Sequence, residues 1–397
     1  MEIPIGQEIA KRRKDKQITQ TELADFMNVS KASVSKWETG QSYPDITLLP
    51  LLAAFFDCSV DELLAINSQL TAQEIKRIYQ LLNESFEIKE AEDVLSMMEG
   101  FIRRYYSCYP FLLQMGLFYL NNWDLLPTPS KTDLPEQTPA DQINAETKKN
   151  HYLQEAVKLF EQVKNNGSSE LVQQAKFYQA YSMTMLGQAE EVLTILGHKT
   201  PTFLPVEPLI AAALQQTNDV AAAETVLQSA IYQYVTVLLS LLTNYTLLLT
   251  QKPAAMETTY QRGLDFCDAF DLARLHPIIM LNFLAACLTT FAAQGNNELL
   301  LLALTRYVSL LEETDDPYFL HGDDYFDQID SWIDELDLGN QLPRSSYMVK
   351  KQLTGLILES PLLQPYQEQQ TFAELFQRLQ TIAVQTADDF HGKEETR

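Results

Sequence analysis

Apolar positions in the first sixty-odd residues recur in short helical bursts separated by turn signals, and this pattern predicts five helices. The first runs from Ile5 to Lys16. Thr19, with Glu22 three residues on, makes a capping box that opens the second, which ends near Asn28. Ser30 is the N-cap of a third, stopped at Gly40. After the turn Gln41–Asp45, Leu49, Leu52, Ala53 and Phe56 fall at helical spacing and give the fourth one apolar face. The fifth follows Ser59 and carries Val60, Leu63 and Leu64. Ala65 to Leu70 is a polar connection, and Thr71 with Glu74 then caps a helix through Ile75, Ile78, Leu82 and Phe86.

From there to the end the pattern stays helical, with no strand alternation. The exception is Leu125 to Ala145, which holds four prolines and no helical stripe and reads as a loop. Beyond it, polar turns at Leu186-Gly187-Gln188, Gln216-Thr217-Asn218, Thr250-Gln251-Lys252 and Gln294-Gly295-Asn296 mark helix pairs. Their period of about thirty to forty residues is that of tetratricopeptide-type repeats. The pairs Ser168–Gly187 with Ala189–Leu196, and Leu204–Thr217 with Asp219–Tyr234, resemble divergent members of that class. The first helices of successive pairs, Glu170–Leu186, Leu204–Gln216, Thr236–Thr250 and Pro277–Gln294, are expected to line a concave face. The expected fold is therefore all-α: a five-helix head (residues 1–66) and an α-hairpin repeat superhelix (residues 71–397) with a Pro-rich loop at 125–145.

Composition agrees with helices. Only 13 of 397 residues are glycine, where the usual share would give about 28, so Gly-rich phosphate loops and turn-rich β folds are disfavoured. The four cysteines form no CxxC pair, which points to reduced thiols in a cytoplasm rather than a zinc knuckle or disulfide scaffold. Cys108, in an aromatic run with Tyr105, Tyr106 and Tyr109, reads as a buried core thiol. The N-terminus has no signal-peptide core. Thr225 to Gln251 carries no charge and is long enough to cross a bilayer, but its Gln, Ser, Asn and Thr residues favour a buried helix of a soluble protein over a span. No membrane partner is expected.

Charge narrows the function. The net charge of −24 rules out a general nucleic-acid coat. It is unevenly distributed: residues 1–66 carry a net −3, the remainder −21. Lys11, Arg12, Arg13, Lys14 and Lys16 oppose a single acid, Asp15. In the third helix, Val34 and Trp37 belong to the core, which turns Lys31, Ala32, Ser33, Ser35 and Lys36 outward. A short helix held steeply against its predecessor in this way suits the DNA major groove.

The motifs IGQEIAKRRKDK, ITQTELADFMNVSKASVSKWETG and CSVDELL together resemble the helix-turn-helix domain of the lambda-repressor/Cro (Xre) family of bacterial and phage regulators. The resemblance covers Ile5 to Leu64. It implies that Gln20 touches backbone phosphate or a nearby base, that Lys31, Ala32 and Lys36 face bases, and that Ser30 and Ser33 lie near phosphates. It further implies an ion pair between Arg13 and Glu38 that ties helix one to the end of helix three. Ser35, with Arg12 and Lys16 on the basic face of helix one and Tyr43 in the following turn, completes the expected contact set. Ala32 stands where a polar reader is common, and the turn after helix three is one residue longer than in some relatives. A repressor-like head on a helical repeat body also resembles the peptide-pheromone-sensing regulators of Gram-positive bacteria. YYSCYPFLLQMG and LHGDDYFDQIDSWIDELDLG look like segments of Firmicute Xre regulators with such bodies.

The expected function is a sequence-specific DNA-binding transcription regulator of the cytoplasm, not an enzyme. It is expected to act as a homodimer on double-stranded DNA, reading half-sites about 34 Å apart, and to respond to a regulatory peptide or small molecule through the body. Asn244 and Asn282, polar within apolar runs, are candidate clamps for a peptide backbone, with Tyr178 beside them. The alternative is a protein-interaction scaffold with a docking head. His321, Asp323, Asp324, Asp327 and Asp330 crowd one stretch; Asp323, Asp327 and Asp330 fall near one helical face, within reach of a divalent ion. An acidic helix start accounts for them without a metal, and no metal or cofactor is expected.

Overall fold

A computed structural model describes residues 5–64, 69–130, 134, 144–200, 202, 204–314, 318–340 and 342–395, with side chains to residue 384. Among these residues every regular element is helical. The head comprises α1 (Ile5–Asp15), α2 (Gln20–Met27), α3 (Lys31–Glu38), a 3-10 turn at Ile46–Leu48, α4 (Leu49–Phe55) and α5 (Val60–Leu63). Capping boxes at Thr19/Glu22 and Ser59/Glu62 open α2 and α5. Asn28, in the left-handed region at φ 53°, ends α2 and redirects the chain into α3 within three residues. The apolar faces meet in one core of Ile5, Ile9, Leu23, Ala24, Met27, Val34, Trp37, Leu52, Ala53, Phe56 and Leu63.

The rest contains α6 (Ala72–Ser85), α7 (Ala91–Arg104), α8 (Tyr109–Asn122), α9 (Ala145–Asn166), α10 (Ser169–Met185) and α11 (Ala189–Leu196). They are followed by α12 (Glu207–Gln216), α13 (Val220–Leu247), α14 (Pro253–Ala269), α15 (Leu272–Leu275), α16 (Pro277–Gln294) and α17 (Asn297–Glu313). The last elements are α18 (Asp330–Glu335), α19 (Ser346–Leu358), α20 (Gln364–Gln367) and α21 (Gln370–Glu395). Gly187, Asn218 and Gly295, all at positive φ, make the turns between packed neighbours. Two cores result. One lies within α6–α10 and includes Cys108, which is fully buried. The other spans α13–α21. Residues 336–340 and 342–345 join them: the Gln114 amide donates to Asp337 at 2.7 Å, the Asn83 amide donates to the Pro343 carbonyl at 2.9 Å, and Leu338 packs on the first core.

Three expectations change. The predicted break between Tyr234 and Thr236 does not occur: α13 runs unbroken over 28 residues, because no Gly or Pro interrupts Val220–Leu247. Nor is that helix buried. Only 28% of its most apolar window is covered, although by length and composition α13 and α16 both pass as potential membrane spans. Its exposed apolar residues include Val237, Leu238 and Leu241. Finally, Asp323, Asp327 and Asp330 do not share a helical face, since α18 begins only at Asp330. Asp323 instead accepts from the amides of Tyr325 and Phe326, Asp327 from Gln228, and Asp330 from the Gly322 amide. Each carboxylate is occupied by a local donor, and among the described residues no three His, Cys, Asp or Glu groups converge as a metal site. Most of the Pro-rich loop at 125–145 lies outside the described residues.

The head packs so closely that one atom matters. A Cβ on Gly6 of α1 would stand 2.0 Å from the Trp37 carbonyl oxygen in α3, and a backbone oxygen cannot swing away as a side chain can. Gly6→Ala is expected to destabilise the head by about 2–3 kcal/mol. In the full chain this appears as faster hydrogen exchange of the α3 amides, with the amides of α16 unaffected. Unchanged α3 protection would mean that α1 and α3 tolerate separation.

Candidate nucleic-acid interface

The sequence of α3 dictates both its start and its orientation. The Ser30 hydroxyl accepts from the Ser33 amide at 3.1 Å, and the two hydroxyls are 2.8 Å apart. Val34 and Trp37, one turn apart on the inner side, are buried. Lys31, Ala32 and Lys36 are therefore exposed, and Ser33 and Ser35 are half-exposed at the flanks. Tyr43, in the turn that follows, is exposed. These residues form one outward surface on α3 and the turn beyond it.

Behind this surface sits a polar clamp. Arg13 Nε donates to Glu38 Oε1 at 2.5 Å and Nη2 to Oε2 at 3.0 Å, a two-pronged pair, while Nη1 donates to the Ile18 carbonyl at 2.7 Å. The side chains are 12% and 7% exposed, so solvent screens them little. Gln20 Nε2 adds a donor to Glu38 Oε2 at 2.9 Å. Burial by itself would raise the Glu38 carboxyl, but the hydrogen bonds from Arg13 and Gln20 and the charges of Arg13 and Lys14 outweigh it and hold Glu38 below its ordinary value. One carboxylate thereby fastens α1, the start of α2 and the end of α3 together.

The basic run on α1 divides. Lys16 donates to Asp57 at 2.7 Å and lies over the Phe55 ring. Arg12 is 4.0 Å from Glu8 and only 26% exposed. Lys11 and Lys14 remain exposed. Gln20, with its amide donated to Glu38, is half-buried. So Gln20 and Lys16 are tied into the head in this structure, Arg12 lies half-buried beside Glu8 without a hydrogen bond from its Nε, and Lys31 and Lys36 present the cations of the outer helix.

Two of the residues that build this surface are not legible as such in the sequence. Gly6 is one; its signal is a glycine inside an amphipathic helix, which often marks close backbone approach. The other is Asp57, at a positive-φ turn, with no signal linking it to Lys16 across forty-one residues. In the body, the three candidate ligand contacts are not brought together. Tyr178 stacks on Phe160 in the first core, while Asn244 and Asn282 lie exposed on α13 and α16, which pack together beside the second core. The Asn244 amide donates to the Ser240 carbonyl of its own helix at 2.9 Å.

Residues 9–63 match the helix-turn-helix family, so this unit is an Xre-type helix-turn-helix domain. The HTH-type transcriptional activator BcrR of Enterococcus faecalis is 33% identical over 83 residues, which is 19% of this chain and 41% of that protein. The chain thus spans less than half the length of that curated relative. Among solved structures, PlcR of Bacillus thuringiensis, in complex with the peptide PapR7 and DNA, is 14% identical. That match covers 68% of this chain and 96% of the other, with a TM-score of 0.23. Apo ComR from S. thermophilus is 13% identical, with 100% and 99% covered and a TM-score of 0.25.

Removing Arg13 leaves Glu38 short of its charged partner in a largely buried place, so Arg13→Ala is expected to cost on the order of 3 kcal/mol of head stability, measured by exchange of the α1–α3 amides. The pH dependence follows from the lowered Glu38 pKa. Its stabilisation is complete above the unfolded glutamate value of about 4.3 and is lost as pH falls through the lower folded value. Glu38→Gln is expected to remove that component of acid sensitivity. An identical pH profile in wild type and E38Q would show that the clamp contributes nothing ionic.

Proposed function

We propose that this chain is a sequence-specific DNA-binding transcription regulator. The observation that carries the reading is α3: inside a helix-turn-helix domain, its inner side is locked by Val34, Trp37 and the Glu38 clamp. Its outer side offers Lys31, Ala32, Ser33, Ser35 and Lys36. The lysines supply donors for guanine edges or phosphates, the serines short hydrogen-bonding groups, and Ala32 a methyl that fits against thymine. Ser30 and Tyr43 flank the helix for phosphate contact, and Arg12, Lys16 and Gln20 complete the set when DNA competes for their present partners. The activator named among the relatives supports the same reading for the shared head. In this scheme residues 1–66 form the DNA-binding unit and 71–397 the body.

The regulator works in the cytoplasm without catalysis, as a homodimer whose two heads read half-sites about 34 Å apart. Its body responds to a peptide. The support is the exposed face of α13 and its C-cap, where Val237, Leu241, Asn244 and Leu248 recur at helical spacing. Apolar residues there hold side chains, and Asn244, with Asn282 on the adjoining α16, can both donate to and accept from a peptide backbone.

Lys31→Ala or Lys36→Ala is expected to lower affinity for the best site selected from random DNA by about 1–3 kcal/mol each, with a smaller loss on unrelated DNA. Arg12→Ala or Lys16→Ala should weaken both DNAs alike and flatten the salt dependence. Equal losses from all four variants on both DNAs would assign α3 to another task, such as docking a protein. For the body, calorimetry with culture-derived peptides should show binding to wild type that weakens in Asn244→Ala plus Asn282→Ala. Equal binding to both would remove these residues from the peptide site.

A further inference from the structure

The exposed apolar surface of this chain is concentrated in one stretch. Of the twenty-nine large apolar residues that are exposed among the described residues, sixteen fall between Phe177 and Leu248, less than a fifth of the sequence. The same stretch is poor in charge: residues 177–248 carry six charged side chains, whereas 21% of the whole chain is charged. A single exposed leucine needs no explanation, but apolar residues gathered with little charge among them mark an interaction surface.

Within that stretch α11 and α12 are the barest elements. No residue of α11 is buried, and in α12 only Ala211 is. Helix α11 packs on α10 and α12 on α13, with Val192, Ile195 and Leu214 half-buried. Helices of eight and ten residues hold little structure by themselves in water and draw their stability from a covered apolar face. Here the other apolar residues stay open. Leu193 and Leu196 of α11, Leu204 and Val206 between the helices, and Leu209 and Ile210 of α12 are 37–78% exposed. They belong to neither core of the body.

We propose that α11 and α12, with Leu204 and Val206 between them, form the surface through which two copies of this chain meet. The proposal rests on the homodimer reading above and gives that dimer its contact. Charge selects the occupant. Each copy carries a net −24, and two copies repel wherever acid faces acid. From Leu193 to Ile210 the only Asp, Glu, Lys or Arg residues are Lys199 and Glu207, a net of zero, and Glu207 accepts a hydrogen bond from the Tyr234 hydroxyl. A second copy can approach this strip without like-charge repulsion, and one cation with one anion is self-complementary across a two-fold axis, as the same patch on both copies requires. Contacts between identical subunits are also more apolar than other surface and depleted in charge at their centre, which is the composition of this strip. A basic partner finds no excess of acid there to select it. Helices that lie on lipid carry a polar face rich in Lys and Arg, whereas the strip holds one lysine and α11 opens on Glu190 and Glu191. Through Tyr234, three residues before Val237, the strip borders the exposed face of α13.

The test is sedimentation of the full chain over about a hundredfold range of concentration, for wild type, Leu196→Glu, Leu209→Glu and Leu302→Glu, with the far-ultraviolet spectrum checking that each folds. Wild type is expected to sediment as a dimer at the upper concentrations. Leu196→Glu and Leu209→Glu, both at exposed positions, should weaken self-association at least about tenfold, because each places an unpaired carboxylate in the contact. Leu302→Glu, an exposed position on α17, should leave it unchanged. Hydrogen exchange reads the contact without any substitution: in wild type the amides of α11 and α12 should slow as concentration rises, and those of α16 should not. A dimer that both Leu196→Glu and Leu209→Glu leave intact overturns the proposed surface while the homodimer reading stands; a wild-type chain that is monomeric throughout overturns both. Loss of binding to phosphatidylcholine vesicles or to culture-derived peptides in Leu209→Glu, with self-association unchanged, would assign the strip to one of those occupants and likewise overturn the proposal.

Discussion

The contact between α1 and α3 governs the head. At Gly6 the two backbones approach so closely that a single methyl would overlap the Trp37 carbonyl. At the other end of α1, Arg13 grips Glu38 with both arms. A rigid steric stop and a directional ion pair, one from each end of α1, act on adjacent residues at the end of α3 and oppose its sliding and rotation. Close-packed interiors have this property generally: small displacements are resisted because no empty volume absorbs them. The outward direction of Lys31 and Lys36 is a consequence of the fixed inner side, since a helix whose Val34 and Trp37 are seated has only one surface left to offer.

Electrostatics reinforces this division of labour. In a chain of net charge −24, each cation that remains unpaired on the surface has weight. The head places Arg13 in a largely buried pair with Glu38 and Lys16 in a surface pair with Asp57, and leaves the lysines of α3 outward. The greater part of the acid lies beyond residue 66. At physiological salt, screening confines charge effects to about 8 Å, so acid beyond that range does not cancel the lysines of α3. It does disfavour unspecific association of the rest of the surface with DNA.

The body is organised differently, by two apolar cores tied through residues 336–340 and 342–345. Arg344, Asn83 and Gln114 make this tie with hydrogen bonds across more than two hundred residues of sequence. Polar residues thus make the seam, and apolar ones fill each half. The uncovered stripe on α13 is the exception: apolar surface left unburied by the chain's own packing, available to something else.

Much of the head was legible from local chemistry. Thr19 with Glu22, Ser30, and Gly40 announce helix ends because capping is a matter of adjacent backbone groups and side chains. The outward set on α3 was legible for the same reason: helical periodicity separates Val34 and Trp37 from Lys31 and Lys36 without any knowledge of the partner helix. The Arg13–Glu38 pair follows from the family resemblance, whereas the donation from Gln20 to Glu38 has no signal along the chain. The body's helices were visible, but the continuity of α13 was not, since a plausible polar turn and an unbroken helix look alike when only Gln, Tyr, Val and Thr intervene. Nor could periodicity say whether an uncharged helix is covered. Sequence by itself determined what depends on neighbours along the chain: the helical class, most helix ends, and the inner and outer faces of α3. Tertiary structure alone decided the Gly6 approach, the Lys16–Asp57 pair and the exposure of α11, α12 and α13, because each is set by distances between segments far apart in the chain.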